Sequence, residues 1–177
     1  MTDLHESFDN IHAHHLRGPR IITSVEPSAC LDGRYGEEWY SVGIHPWSTA
    51  SAVGDATLLR LEELAADPRV VAIGEAGFDK KRGGSMHYQE EIFLIHAALA
   101  ERTAKPLIIH CVGRYGRLME LHRLLKPSVE WIVHGFTGKP ELARQLVAEG
   151  FSISLGTNGN SAVENIIPPS KLYRETD

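Results

Sequence analysis

The sequence predicts a parallel α/β fold of the (β/α)8 class, a TIM-type barrel, and three observations predict it. Short apolar runs alternate with helix-like segments along the whole chain, the pattern of strands joined by crossover helices. The runs are nearly continuous in Val, Ile and Leu, as strands buried on both faces must be. Several of them close on a histidine or a glutamate: His12 and His14 in NIHAHH, Glu75 in VVAIGEAGFD, His110 in PLIIHCVG and His134 in WIVHGF. In parallel barrels the carboxyl ends of the strands are where reactive groups gather.

Strands are predicted near residues 8–14, 20–26, 39–45, 69–75, 106–111, 129–134, 151–155 and 171–177, and helices near 55–67, 87–103, 114–126 and 139–149. A weaker helical pattern covers 160–166. Only LRGP separates the first two strands, and 28–38 is too short and glycine-rich for a helix. In the second helix Ile92, Ile95 and Leu99 recur at i, i+3 and i+7, so they share a face. Phe93 widens that stripe and His96 lies on its border. Pro106 limits the helix, since its ring cannot continue the hydrogen-bond ladder, and Gly150 is a stop after LARQLVAE. Barrels of this class usually run to at least about 200 residues. A chain of 177 residues therefore predicts a short form with reduced helices and no covering helix after the last strand. With no repeat or linker, residues 1–177 read as a single domain.

Composition narrows the class further. An apolar content of 42% suffices for a core, and no apolar run reaches the roughly 18 residues of a membrane span. The start, MTDLHESFDN, lacks the basic and apolar regions of a signal peptide. Cys30 and Cys111 are too few for a disulfide scaffold, so a cytoplasmic location is expected. A formal charge of −5 argues against coating nucleic acid along its length, while leaving strand ends and small phosphate esters open as substrates.

The histidines and carboxylates predict a metal site. His12 and His14 are two apart on a strand, so both point to one face, and paired imidazoles suit a borderline divalent ion. Glu75 follows Val70-Val71-Ala72-Ile73-Gly74, where a charge requires a partner or a metal. By alternation Ile73, Ile108 and Ile132 are expected on the same faces as Glu75, His110 and His134. Four histidines with Glu75 and Asp177 are enough for two cations bridged by one carboxylate.

The ordered set NIHAHH, GIHPW, IGEAGFD, Gln89 with Phe93, IIHC, VHGFTG and ETD resembles the TatD family of metal-dependent hydrolases over essentially the whole chain. The resemblance implies a barrel binding divalent metals, often two, with deoxyribonuclease or related phosphodiesterase activity. Two divalent metal ions are expected, and histidine-rich ligation suits Zn, Mn, Ni or Fe while the reaction would also tolerate Mg. It implies that His12, His14 and Asp177 hold one metal, His110 and His134 the second, and that Glu75 bridges. Departures are Asn10 where many members have Asp, Val112 where an arginine is common (Arg114 or Arg117 could substitute), and Gly135 after His134. Relatives continue past ETD into a covering helix, and the outward charge of Arg174 fits a barrel lacking it.

The expected chemistry is attack by a metal-activated water on phosphorus, with Glu75 and Asp177 as catalytic groups and Asp177 taking the proton. His45, Lys80, Lys81, Arg82 and Arg114 are candidate substrate contacts, with Arg117 beside them. GFTGKPE offers a helix N-terminus to phosphate or a cap at Thr137 or Gly138. His87, His96 and His122 read as surface or packing residues, His15 as pointing away, and Asp79 as fixing the loop after the fourth strand. The expected partners are nucleic-acid ends or a small phosphodiester, with the chain a monomer or homodimer and no membrane involved. The competing functions are amide or ester hydrolysis on the same site, and a degenerate barrel that binds metal without turnover.

Overall fold

The computed structural model describes residues 4–31, 35–157 and 159–176. Eight strands form one all-parallel sheet in chain order: β1 Asn10–Ala13, β2 Ile21–Val25, β3 Trp39–Val42, β4 Val70–Asp79, β5 Leu107–Val112, β6 Trp131–Val133, β7 Ser152–Leu155 and β8 Leu172–Arg174. The helices are α1 Leu4–Ser7, α2 Asp55–Ala65, α3 Met86–Thr103, α4 Tyr115–Leu125, α5 Pro140–Ala148 and α6 Ser161–Glu164. No helix connects β1 to β2, and the described part of the 28–38 stretch carries none. Both agree with the sequence reading. Across the remaining gap, Thr176 N–H donates to the His12 carbonyl at 3.3 Å and the Asn10 amide donates to Thr176 Oγ1 at 2.6 Å. The two ends of the chain thus meet at the seam of a nearly closed barrel.

Asn10 uses both ends of its amide there, because its Oδ1 also accepts from His12 N–H at 3.2 Å. An amide supplies the donor and the acceptor at once, which a carboxylate does not. That accounts physically for asparagine at this position.

Side chains divide cleanly between two faces. Tyr40, Val42, Val70, Ile73, Leu107, Ile109, Trp131, Val133 and Ile153 pack outward against the helices in the larger core. Ile22, Val71, Ile132 and Tyr173 instead join Leu4, Phe8 and Ile11 of the N-terminal segment, which plugs the lower end of the barrel. Helix α1, absent from the sequence reading, contributes Leu4 to this plug. On α3 the buried face carries Ile92, Phe93, Ala97, Leu99 and Ala100. Ser85 starts α3 by accepting from Tyr88 N–H.

β4 departs from simple alternation, and the departure builds the site. Its pairing with β3 shifts between Tyr40 and Ser41, and its pairing with β5 shifts between Ile73 and Ala76. Ile73 is paired with Val42 and Leu107, both outward, so it faces the helices and not the Glu75 side as alternation predicts. The extra residue is Gly74, whose φ of +120° is open to glycine, and this bulge re-aims the residues after it. Gly77 then pairs with His110, where a Cβ would meet the His110 carbonyl at 2.0 Å. The strand runs four residues beyond its predicted end. Glu75, Gly77 and Asp79 consequently share the inner face beside His110.

Arg174 points outward and is 51% exposed in its side chain, where it pairs with Glu164 of α6. Its charge therefore has a local partner. Among the described residues no helix is long and apolar enough to cross a membrane.

Candidate metal centre

Glu75 is the hub of the site. Its carboxylate is 4% exposed and five imidazoles converge on it. Oε1 lies 2.7 Å from His110 Nδ1, 2.7 Å from His134 Nε2 and 2.9 Å from His45 Nε2. Oε2 faces His12 Nε2 at 3.3 Å and His14 Nε2 at 3.7 Å. His12 and His14 lie at the carboxyl end of β1, His110 in the second half of β5, His134 directly after β6 and His45 after β3. Glu75 instead lies within β4, four residues short of its end. The structure therefore brings together His12, His14, Glu75, His110 and His134. The remaining predicted ligand, Asp177, lies outside the described residues.

The imidazoles determine the charge of the hub. Burial pushes the Glu75 carboxyl upward, but His134 and then His110 and His12 overcome this and hold it far below the carboxylate range. Burial also opposes protonation of His134, yet Glu75 on one side and Glu175 on the other raise it to about 10. Burial, then the neighbouring His134 charge, drives His12 downward.

Two histidines have a carboxylate behind them. His110 Nε2 faces Asp79 Oδ2 at 3.2 Å, leaving Nδ1 toward Glu75. His134 Nδ1 faces Glu175 Oε1 at 3.6 Å, and that oxygen is fixed by the Gly135 N–H at 2.7 Å. A carboxylate behind a ring nitrogen orients the imidazole and raises its basicity toward a cation. Glu175 is the residue the sequence reading missed. The signal was available, because Glu175 has the same parity as the buried Tyr173 within the predicted strand 171–177.

The donor set fits a divalent ion. Imidazole nitrogens of His12 and His134, and of His45 and His110, each form a cluster with Glu75 whose atoms all lie within 4.8 Å of one another. Glu75 Oε2 is buried and, among the described residues, has no close hydrogen-bond partner, which fits an oxygen able to take a cation. His45 differs from the others chemically. Its Nδ1 accepts the Trp47 N–H at 3.1 Å, so in the neutral ring Nε2 carries the proton and donates. A protonated nitrogen has no lone pair for a metal. His45 is a hydrogen-bond donor at this centre.

A cavity of about 540 Å³ opens onto the hub, lined by His14, Glu26, His45, Trp47, Glu75 and His110 among others. Of the basic residues predicted to contact substrate, Arg82 stacks over Trp47 at 4.3 Å from the ring centroid. Lys81 N–H and Arg82 N–H both donate to Asp79 Oδ1, so Asp79 fixes this loop as predicted while also touching His110. Lys80 packs its stem beside Gly113, and Arg114 starts α4. Neither lines the cavity. Arg117 is engaged by carboxylates, Glu90 at 2.6 and 2.9 Å and Glu120 at 3.0 Å. Helix α5 is capped at Lys139 rather than Thr137 or Gly138. His15 and His87 are exposed, His122 packs tilted against Phe151 and edge-on to Trp131, and His96 is fully buried packing.

An eight-stranded parallel barrel with a histidine–carboxylate hub at its carboxyl rim defines the class of barrel metal-site proteins. Residues 23–177 match the profile of the TatD related DNase family. The chain belongs to that family. It is 36% identical over 173 residues to a Cronobacter turicensis 3'-5' ssDNA/RNA exonuclease TatD, covering 88% of this chain and 64% of the relative. An uncharacterized metal-dependent hydrolase TatD from Mycobacterium tuberculosis is 37% identical over 150 residues, 77% of this chain and 56% of that one. The chain thus spans less than two thirds of the length of these relatives. Among solved structures, a TatD homologue from Escherichia coli superposes with a TM-score of 0.74 at 24% identity, covering 89% of this chain and 66% of that one. A hydrolase TatD family protein from Entamoeba histolytica gives 0.72 at 23% identity, with 90% and 61% covered. These two show the shared barrel fold.

Proposed function

We propose that this chain is a divalent-metal-dependent phosphodiesterase that removes nucleotides from the ends of single-stranded nucleic acid. The observation that carries the reading is the Glu75 hub: imidazoles of His12, His14, His110 and His134 surround one buried carboxylate at the floor of an open cavity. The relatives named as single-stranded DNA and RNA exonucleases support the substrate class. In this reading residues 1–177 act as one barrel unit. His12, His14 and Asp177 would hold one cation and His110 and His134 a second, with Glu75 the carboxylate within reach of both. Bound there, such ions would supply a lowered pKa for water and positive charge opposite the phosphoryl oxygens. Asp79 and Glu175 hold the His110 and His134 rings in register from behind. His45, whose Nδ1 accepts the Trp47 N–H, would donate from Nε2 to a phosphoryl oxygen, and Asp177 would accept the proton of the attacking water.

Glu75→Gln keeps the volume and removes the bridging charge. Metal content and shortening of a labelled oligodeoxynucleotide are measured on both proteins, with near-ultraviolet circular dichroism as the check on folding. The wild type is expected to hold about two ions and to shorten the strand from one end in a metal-dependent way. The folded variant is expected to lose at least about 100-fold in rate, on the scale of removing one electrostatic stabiliser. Wild-type rates in Glu75→Gln overturn the assignment. Cleavage of ester or dipeptide substrates with none of the oligonucleotide moves the reaction to carbonyl hydrolysis on the same centre.

A further inference from the structure

Trp47 is exposed where an indole has reason to be covered. It is 44% accessible, lines the cavity, and lies with its ring centroid 4.8 Å from His45 and 6.3 Å from His110. It is also held still. Its Nε1–H donates to Asp79 Oδ2 at 2.6 Å, the same oxygen that faces His110. Pro46 begins the 3-10 turn Pro46–Ala50 that carries it, and Thr49 Oγ1 ties that turn to the next loop by accepting Gly84 N–H at 2.9 Å. Gln89 braces the same loop, its amide donating to the carbonyls of Asp79, Arg82 and Gly84 at 3.1, 2.9 and 3.0 Å. On this braced surface rests the Arg82 guanidinium, 4.3 Å from the indole centroid. No carboxylate among the described residues is within ion-pair distance of Arg82, although Arg117, Arg69 and Arg20 each have one.

A rigid exposed indole bearing an unneutralised guanidinium, one ring away from a phosphodiester-cleaving centre, has the chemistry of a nucleotide rest. Aromatic faces stack on any base without reading its sequence, and guanidinium planes both stack and hydrogen-bond phosphate. We propose that Trp47 and Arg82 form the stacking platform for the terminal nucleobase of the substrate strand, making the site selective for phosphodiesters that carry a base. This deepens the nuclease reading and rests on it. Trp47 is a substrate-contacting residue here, whereas Asp79 and Gln89 position it.

The test separates stacking from loop support. Binding of a labelled phosphorothioate oligothymidylate is measured by fluorescence anisotropy on metal-loaded wild type, Trp47→Phe and Trp47→Ala. The same strand lacking only its terminal base is measured alongside. Trp47→Phe loses the hydrogen bond to Asp79 but keeps an aromatic face. The wild type is expected to prefer the intact strand. Trp47→Ala is expected to bind that strand about 10- to 100-fold more weakly while its affinity for the base-free end is unchanged. Trp47→Phe is expected to keep most of the preference. Equal losses on both strands in Trp47→Ala, or no preference in the wild type, overturn the platform even if cleavage persists. A preference that depends on Trp47 in a protein that never cleaves DNA supports the platform and overturns the proposed activity instead.

Discussion

His96 shows how one residue ties the helical layer to the rim. Its Nε2 accepts the Ile44 N–H at 2.9 Å, so Nδ1 carries the proton and donates to the Ile92 carbonyl at 2.8 Å. The ring is fully buried and wholly satisfied only when neutral, and burial lowers its pKa to about 4. The unfolded chain takes up that proton near pH 6.5 and the folded chain only near 4. The contribution is therefore complete above pH 6.5 and is lost as pH falls from there toward 4, by about 3 kcal/mol in total. Urea denaturation at pH 7.5 and 4.5 checks this: His96→Gln is expected to be less stable at the higher pH but to lose less on acidification than the wild type. Parallel losses in both proteins refute it. The sequence placed His96 on the border of the apolar stripe, and burial shows that packing reading to hold. That its ring anchors the residue before His45 was not legible, because a contact between positions 44 and 96 leaves no local pattern. Asp79 was half legible for a similar reason, its loop contacts being local and its approach to His110 depending on the next strand.

At the scale of elements, the strands and longer helices lie within a few residues of their predicted spans, because apolar runs and 3.6-residue stripes record burial directly. Two features escaped. α1 is one turn long, too short for a period to register, and the β4 bulge is invisible to an alternation rule that assumes no inserted residue. The helix ends carry a further consequence. α3 stops at Ala104 in the left-handed conformation (φ 51°, ψ 40°), with Lys105 N–H closing back on the Ala100 carbonyl at 3.0 Å. This is a Schellman closure with alanine where glycine is favoured, and a Cβ there costs about 1–2 kcal/mol. Ala104→Gly is expected to stabilise the protein by roughly 0.5–1 kcal/mol, net of the greater entropy of the unfolded chain. A chemical denaturation midpoint that falls in the variant contradicts the cap assignment.

On the scale of the molecule, the hub exists only when the barrel is assembled. His12 and His14 come from the first strand, Glu75, His110 and His134 from the middle of the sheet, and Glu175 follows the last strand beside the seam. An unfolded chain offers these ligands singly, so a cation that binds the hub binds the folded state and stabilises it by mass action. At a free Zn²⁺ or Mn²⁺ concentration about 100 times the dissociation constant, that stabilisation is about 2.7 kcal/mol. For a domain of this size it corresponds to a rise in Tm of roughly 5–10 °C. A chelator is expected to reverse the rise. Glu75→Gln is expected to lose most of it, because Glu75 is the one carboxylate that the imidazoles of His12, His110 and His134 all face. An exposed histidine away from the hub, such as His87, is the control: His87→Ala should keep the full shift. Differential scanning calorimetry with and without metal decides the matter. An unchanged Tm in wild type shown to carry bound metal would mean that the cation sits on the unfolded chain equally well, and that the five imidazoles around Glu75 are a packing arrangement and not a metal centre.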